Sequence, residues 1–345
     1  MNHERPSCRN RNLISRRTFL KTIGGGAGIG VLGQFSIRRA SAALRATSSE
    51  VVKKRKLGRT GLLISEIGFG GHSWAYAQVP DGEKMRPVTQ DEALEMIRLG
   101  LDMGVNFFDA VSPVPEHTIP GQALKKLDAR KDVIICARLV HKMKGKPSDK
   151  DEVYRFVEQR LKMWQTDYFD IFLTGMATED YWDMSYCIEA LDKIKKDGKV
   201  RFTGFGSHFS RAKYLEAIEK YGSAFDICSM PYNAYHRAAE EVFPAAEKCG
   251  LGIVTIKPFA RGSLLKDKDL DGKDKGLPRR MISYVLENKR VDACLCGVHT
   301  LAHVRENFSA SWTPLSPDER RQLERSFGST PEIPLGWLDR GWTYA

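Results

Sequence analysis

The sequence predicts an α/β fold, a (β/α)8 TIM barrel preceded by a β-hairpin. Three observations predict it. Eight short apolar runs with strand character recur from about residue 53 onward. Amphipathic helical runs separate them, and alternation of this kind builds a parallel sheet. The series takes about 250 residues with no internal boundary, and eight parallel strands over that length suit a closed barrel better than an open doubly wound sheet.

The elements follow in order. Residues 1–42 read as an address rather than as fold. Ser15-Arg16-Arg17-Thr18-Phe19-Leu20-Lys21 has the pattern of the bacterial twin-arginine export motif. A weakly hydrophobic, glycine-rich run over 22–32 follows, and Ala40-Ser41-Ala42 offers a small-residue cleavage site. The run is too short and too rich in glycine to span a bilayer. A phosphate loop would need a preceding strand and a following Lys-Ser/Thr, and neither is present. The expectation is a chain handed to the twin-arginine translocation machinery, periplasmic or extracytoplasmic, with no stable membrane span once mature. Residues 43–52 read as a linker, 53–330 as the barrel and 331–345 as an aromatic, aperiodic tail packed over the barrel mouth or sides.

Lys56 through Ser65 reads as a hairpin with a glycine-containing turn. The strand runs are 67–70, 106–109, 133–137, 170–173, 200–204, 226–229, 252–256 and 293–297. The helical runs include 90–103, 151–164, 181–197, 211–221, 238–249, 277–287 and 302–310. Thr89-Gln90-Asp91-Glu92 and Ser316-Pro317-Asp318-Glu319 read as N-caps with acid or proline in the first turn.

Composition narrows the function. Of the 345 residues 42% are hydrophobic and 28% charged, which excludes a disordered, collagen-like or small disulfide-stapled chain. The net charge of +11 suggests nucleic acid until it is located. Residues 1–42 carry eight basic residues against one acid, and the rest of the chain carries 46 against 42. The body is only mildly basic, so no nucleic-acid partner is expected. Six cysteines lie beyond the leader: Cys136, Cys187, Cys228, Cys249, Cys294 and Cys296. Cys294 and Cys296 share one strand face and bridge poorly at that spacing. The expectation is mostly buried free thiols. No His/Cys cluster has zinc spacing, so no metal is expected.

Several segments resemble the aldo-keto reductases, in the right order, from about residue 53 to 328. Arg55-Lys56-Leu57-Gly58-Arg59-Thr60-Gly61 with Gly68-Phe69-Gly70-Gly71 is similar to the family's entry segment. Gly104-Val105-Asn106-Phe107-Phe108-Asp109-Ala110 resembles its second strand, and Asp167-Tyr168-Phe169-Asp170-Ile171-Phe172-Leu173 its fourth. Gly198 through His208 resembles the fifth, Pro231-Tyr232-Asn233 follows the sixth, Lys257-Pro258-Phe259-Ala260-Arg261-Gly262 the seventh, and Gly297 through Asn307 the eighth. The resemblance implies carbonyl reduction by a nicotinamide hydride on a small-molecule substrate.

The family's proton donor is a tyrosine, tuned by a Lys–Asp pair and helped by a histidine. Asp109 matches the aspartate. The tyrosine position holds Val114, the lysine position Arg138 and the histidine position Gly175. A positioned acid is worth about 10²–10⁴-fold in rate, so a replacement matters. His208, beside Ser207, is the first choice. His72, Tyr76, His141 and Tyr232 are alternatives, and each of the five taken alone reads more readily as an ordinary loop residue than as a proton donor. The expected catalytic set is Asp109, Arg138 and His208. Asp109 and Arg138 also read as a structural ion pair or as a substrate anchor, since arginine forks suit carboxylates.

The cofactor side is better matched. The resemblance places Ser207 at the nicotinamide carboxamide and Gly70 among the cofactor-binding residues. Ser229 holds the nicotinamide-side position that is usually glutamine, a departure from the family, and Lys257, Pro258, Phe259, Arg261, Gly262 and Leu264 fall on the pyrophosphate side. Gly297 and His299 lead into the eighth helix, an anion-binding N-terminus. Glu306 and Asn307 match the adenine side, and His303 the 2′-phosphate position. The implied cofactor is NAD(P), with NADP the expected form. Two other readings stay open: a non-catalytic binding protein on the same fold, and a different chemistry at the same mouth using Arg138, Lys257 or His208.

Overall fold

The computed structural model describes residues 50–75, 78–81, 84–110, 118–139, 150–175, 185–206, 211–265 and 276–327. They belong to one compact unit. Residues 1–49, expected above to hold a leader and most of a linker, and residues 328–345, with the expected aromatic tail, lie outside the described residues, as do Val114, His141, Tyr76, Ser207 and His208.

The chain opens with an antiparallel hairpin of β1 (Lys54–Lys56) and β2 (Leu63–Ser65). β3 (Ile67–Phe69) is the first barrel strand, and α1 (His72–Ala75) follows it. A second hairpin, β4 (Gln78–Asp81) with β5 (Lys84–Pro87), leads into α2 (Gln90–Asp102). Then come β6 (Phe107–Ala110), α3 (Ile119–Lys126), β7 (Ile134–Arg138), α4 (Lys150–Trp164), β8 (Phe169–Gly175), α5 (Ser185–Lys196), β9 (Val200–Gly206) and α6 (Arg211–Tyr221). The second half holds β10 (Ile227–Pro231), α7 (Phe243–Lys248), β11 (Gly252–Ile256), α8 (Leu277–Glu287), β12 (Ala293–Cys296), α9 (Leu301–Ser309) and α10 (Pro317–Phe327). The eight strands β3 and β6 to β12 pair in parallel and close, β12 against β3. The predicted (β/α)8 barrel with its N-terminal hairpin is the observed fold.

Two apolar layers hold it. The outer layer lies between strands and helices and includes Phe69, Phe108, Phe172 and Phe205. The inner layer fills the barrel with Phe107, Ile134, Cys136, Ile171, Leu173, Ile227, Val254 and Leu295. Inner residues recur every second position, as a barrel strand requires. The first hairpin seals the amino end: Leu57 and Ile64 join the inner layer, and the Arg59 N–H donates to the Gly250 carbonyl at 2.9 Å. Gly58 makes this approach possible, because a Cβ there would lie 2.3 Å from the Gly252 nitrogen and its φ is +42°. With that end plugged, the carboxyl rim is left for a ligand.

A cavity of about 580 Å³ at the plugged end, lined in part by Lys53, Arg55, Glu66 and Asp292, is a packing feature. The Arg55 guanidinium is spent on Glu66 and on the Val291 and Leu286 carbonyls at 2.6–2.9 Å.

Both predicted caps form. The Thr89 Oγ1 accepts from Glu92 N, the Glu92 carboxylate accepts from Thr89 N, and Arg86 clasps the same carboxylate at 2.7 and 2.8 Å. Those donors hold the Glu92 carboxyl down at about 2. At α10, Ser316 and Glu319 repeat the reciprocal pair. The expected helix over 238–249 is broken instead: a 3-10 turn, Ala238–Glu241, precedes α7. Pro244 is the reason, since it lacks the N–H that a continuous helix would need there. The second hairpin and α3 were not expected.

Candidate active site

Inner-face alternation carries each strand's last inward residue to the carboxyl rim. Phe107 predicts Asp109 there, Cys136 predicts Arg138, Leu173 predicts Gly175, Gly204 predicts Gly206 and Ile227 predicts Ser229. Ile256 completes β11, and Gly70 and Gly297 follow β3 and β12 in the same register. Half of this ring is glycine, so the mouth opens as a bowl with two charges in its floor.

Those charges form a pair. Arg138 Nε and Nη2 both donate to Asp109 Oδ1, at 3.2 and 3.1 Å. The side chains are 11% and 7% exposed. The Asp109 Oδ2 receives the Gly71 N–H at 3.4 Å. Burial works against the guanidinium's charge, but Asp109 more than offsets it and holds the Arg138 pKa above its ordinary value. The arginine is a permanent cation and no proton carrier. Cys136, one layer down, is a thiol whose pKa burial pushes well up, so no nucleophile lies beneath the pair.

Ser229 sits across the ring. Its Oγ is buried and meets no hydrogen-bond partner, while its carbonyl accepts from Tyr214 Oη at 2.8 Å. A buried hydroxyl without a partner is costly and points to a ligand with polar edges.

The adjoining rim is built from β11 and β12. Lys257 ends β11 with φ +63°, and Ala260 follows at +49°. Both are left-handed conformations rare outside glycine. Asn233 stabilises the turn. Its Nδ2 donates to the Lys257 carbonyl at 2.8 Å, and its Oδ1 accepts from Tyr235 N and His236 N at 3.0 and 2.8 Å. Pro258 is buried, Phe259 and Leu264 are half-buried, and Arg261 and Gly262 lie in the 3-10 turn Ala260–Leu265. Gly262 has φ +85° with open space where a side chain would go.

After β12, Gly297 is exposed, and its carbonyl accepts from the buried Asn307 Nδ2 at 3.1 Å. Ser73 ties this turn to the end of β3: its Oγ donates to the Gly70 carbonyl at 2.7 Å and accepts from Val298 N at 3.0 Å. Thr300 caps α9 by accepting from His303 N, and His303 Nδ1 accepts from His299 N. Burial of part of the ring lowers the His303 pKa, outweighing the raising effect of Glu306. The amino end of α9 and the open glycines form a concave, anion-tolerant rim, and with the orphan Ser229 hydroxyl their chemistry fits a dinucleotide.

Thus the structure brings together Gly70, Asp109, Arg138, Ser229, Lys257, Pro258, Phe259, Gly262, Gly297, His299, His303 and Asn307 at one end of the barrel. One alternative is corrected. The Tyr232 ring packs on Phe243 and Tyr284 outside the barrel, and its hydroxyl donates to Glu240 at 2.7 Å; outward register turns it from the mouth. Asn233, Ser73 and Tyr214 were missed. Asn233 had a signal, a turn-forming residue just past a strand; the other two had none. Among the described residues no group of three metal-binding side chains occurs, and no helix is long and apolar enough to cross a membrane.

Comparison with known proteins agrees with this geometry. The family model for the Aldo/keto reductase family matches residues 66–281. The chain is 27% identical to L-galactose dehydrogenase of Arabidopsis thaliana, over 75% of this chain and 88% of the plant protein. It is 27% identical to the NADH-specific methylglyoxal reductase of Escherichia coli, over 62% of this chain and 69% of that one. An aldo-keto reductase of Bacillus halodurans, solved in its holo form, superposes with a TM-score of 0.64 at 24% identity, covering 79% of this chain and 96% of its own. With a match over more than half its length, this chain belongs to the aldo/keto reductase family, a family of oxidoreductases that use NAD(P)H.

Proposed function

We propose that the protein is an exported oxidoreductase that moves hydride between NADP(H) and a small carbonyl compound, with a proton supply that differs from the family's tyrosine. The observation that carries the reading is the orphan Ser229 hydroxyl in the ring that also holds Asp109 and Arg138, beside a rim suited to phosphates.

Nicotinamide, when bound, supplies the hydride. The chain's own residues do the rest. Gly262, Gly297 and the N–H groups of α9 receive the pyrophosphate, and Asn307 and Glu306 flank the adenine end. Ser229 receives a polar edge of the nicotinamide. Arg138 draws charge onto the substrate oxygen as it becomes alkoxide, and Asp109 keeps the guanidinium in place. Position 114 is valine and Arg138 does not titrate, so the proton comes from His208 or from water in the mouth. The names of the plant and bacterial relatives, one for a sugar and one for a small oxo-aldehyde, are compatible with a small polar substrate. The twin-arginine pattern at Arg16-Arg17 supports export of the folded chain.

Fluorescence titration of the purified protein with NADPH and NADH tests the reading. Saturable binding of either is expected, tighter for NADPH. Absence of binding to both overturns it. Binding without turnover on any carbonyl favours the alternative, a barrel that binds and does not catalyse. For export, Arg16→Lys with Arg17→Lys is expected to leave the folded precursor in the cytoplasm, read by fractionation.

A further inference from the structure

Two of the five N–H donors of the Arg138 guanidinium are in hydrogen bonds among the described residues. Its Nε and Nη2 converge on a single oxygen of Asp109, and no described residue receives its Nη1 hydrogens. The side chain is 11% exposed, and that exposure faces the bowl, because the alternation on β7 turns it inward. Among the described residues of the rim ring, Asp109 is the one acid. Gly175 and Gly206 leave room beside the pair.

We propose that this open edge is a binding site for a substrate carboxylate, and that the protein acts on short 2-oxo acids or the matching 2-hydroxy acids. This rests on the oxidoreductase reading for its chemistry, but not for its binding. A planar fork with unspent donors in a sheltered bowl is matched by two coplanar oxygens. Asp109 already places one negative charge beside the cation, which favours a singly charged carboxylate over a doubly charged phosphate. Arg138 lies in the floor, so an anchored acid presents its second carbon toward the open bowl. In reduction the hydride adds to that carbon, the carbonyl π pair moves to oxygen, and the oxygen takes a proton from water. NAD(P)H is oxidised and the 2-oxo acid becomes a 2-hydroxy acid.

Calorimetric titration of the full-length protein with pyruvate and with uncharged pyruvamide, without cofactor, tests the anchor. Pyruvate is expected to bind about tenfold or more tightly than pyruvamide, the factor typical of a charge-assisted hydrogen bond. Asp109→Asn keeps an acceptor for Arg138 and removes the competing charge, so it is expected to tighten pyruvate several-fold. Arg138→Gln is expected to abolish the preference. Because that change strands Asp109, the neutral double variant Arg138→Gln/Asp109→Asn is measured with it. Equal binding of the two probes by the wild type, or a pyruvate preference that survives in the double variant, overturns the proposal. Pyruvate binding by a protein that ignores NADPH and NADH supports the anchor and sinks the oxidoreductase reading; NADPH binding with no charge preference sinks the anchor alone.

Discussion

Asp109 shows what one carboxylate does in a nearly dry floor. Its partner cannot shed its charge, so removing the acid leaves a buried cation. Asp109→Ala is expected to cost about 3–5 kcal/mol in urea unfolding, whereas replacing both residues with apolar ones of similar size recovers most of that loss. Asp292, at the plugged end, lowers stability when it is ionised. Burial raises its pKa to about 6, against the backbone N–H groups of Ile253 and Gly58 and the charge of Arg55, which lower it. The folded state therefore keeps this proton to higher pH than the unfolded chain, whose value is about 4. Stability falls as pH rises from about 4 to about 6 and stays lower above it, by roughly 2–3 kcal/mol. Asp292→Asn is expected to raise the unfolding free energy at pH 8 and to flatten that part of the pH profile. Both charges of the floor were legible in the sequence, since a strand's alternation fixes which side chains face in. The orphan state of Ser229 was not, because satisfaction of a hydroxyl depends on groups distant in the chain.

The elements were legible where period and cap agree. The helices α6 and α8 have the expected bounds, Arg211–Tyr221 and Leu277–Glu287. The helix α3 was hidden because Pro120 and Gly121 open it and read as a turn. Proline suits a first turn, and Gly121 is needed because a Cβ there would lie 2.4 Å from the Trp164 carbonyl at the end of α4. The same tension between local preference and tertiary contact sits at Lys257. Asn233→Ala removes three hydrogen bonds and is expected to cost about 1–3 kcal/mol. Lys257→Gly relieves the left-handed backbone, worth about 1–2 kcal/mol, so it is expected to offset part of that loss in a double-mutant cycle read by denaturant. At α9, His303 is mostly neutral at pH 7 because its pKa is lowered. On the proposed reading, His303→Arg is expected to improve NADPH binding about tenfold over NADH. The wild-type preference for NADPH should grow as pH falls and the imidazole charges; the arginine variant should lack that pH dependence.

Across the whole molecule, closure of the barrel divides labour: the hairpin end is spent on stability, and the glycine-rich rim is left open. Export, as proposed, would carry this barrel into an oxidising compartment, which puts its cysteines at issue. None of the six cysteines in the described residues is in a disulfide, and five of them are buried. Burial pushes the Cys294 thiol up to about 12 and raises those of Cys136, Cys228 and Cys296 well above the usual range, so the reactive thiolate is scarce as well as shielded. Cys249 alone among them is half-exposed, and the other five are buried, so an internal bridge would require the packing to open. The folded barrel is therefore expected to be indifferent to redox conditions. In a Cys8→Ser variant, which removes the leader's thiol, Ellman's reagent should titrate about one thiol rapidly in the native state and six after denaturation. The thermal midpoint should be the same with and without reductant. A midpoint that drops on reduction would mean that a bridge forms which this packing does not provide, and the strand faces assigned to Cys294 and Cys296 would have to be wrong.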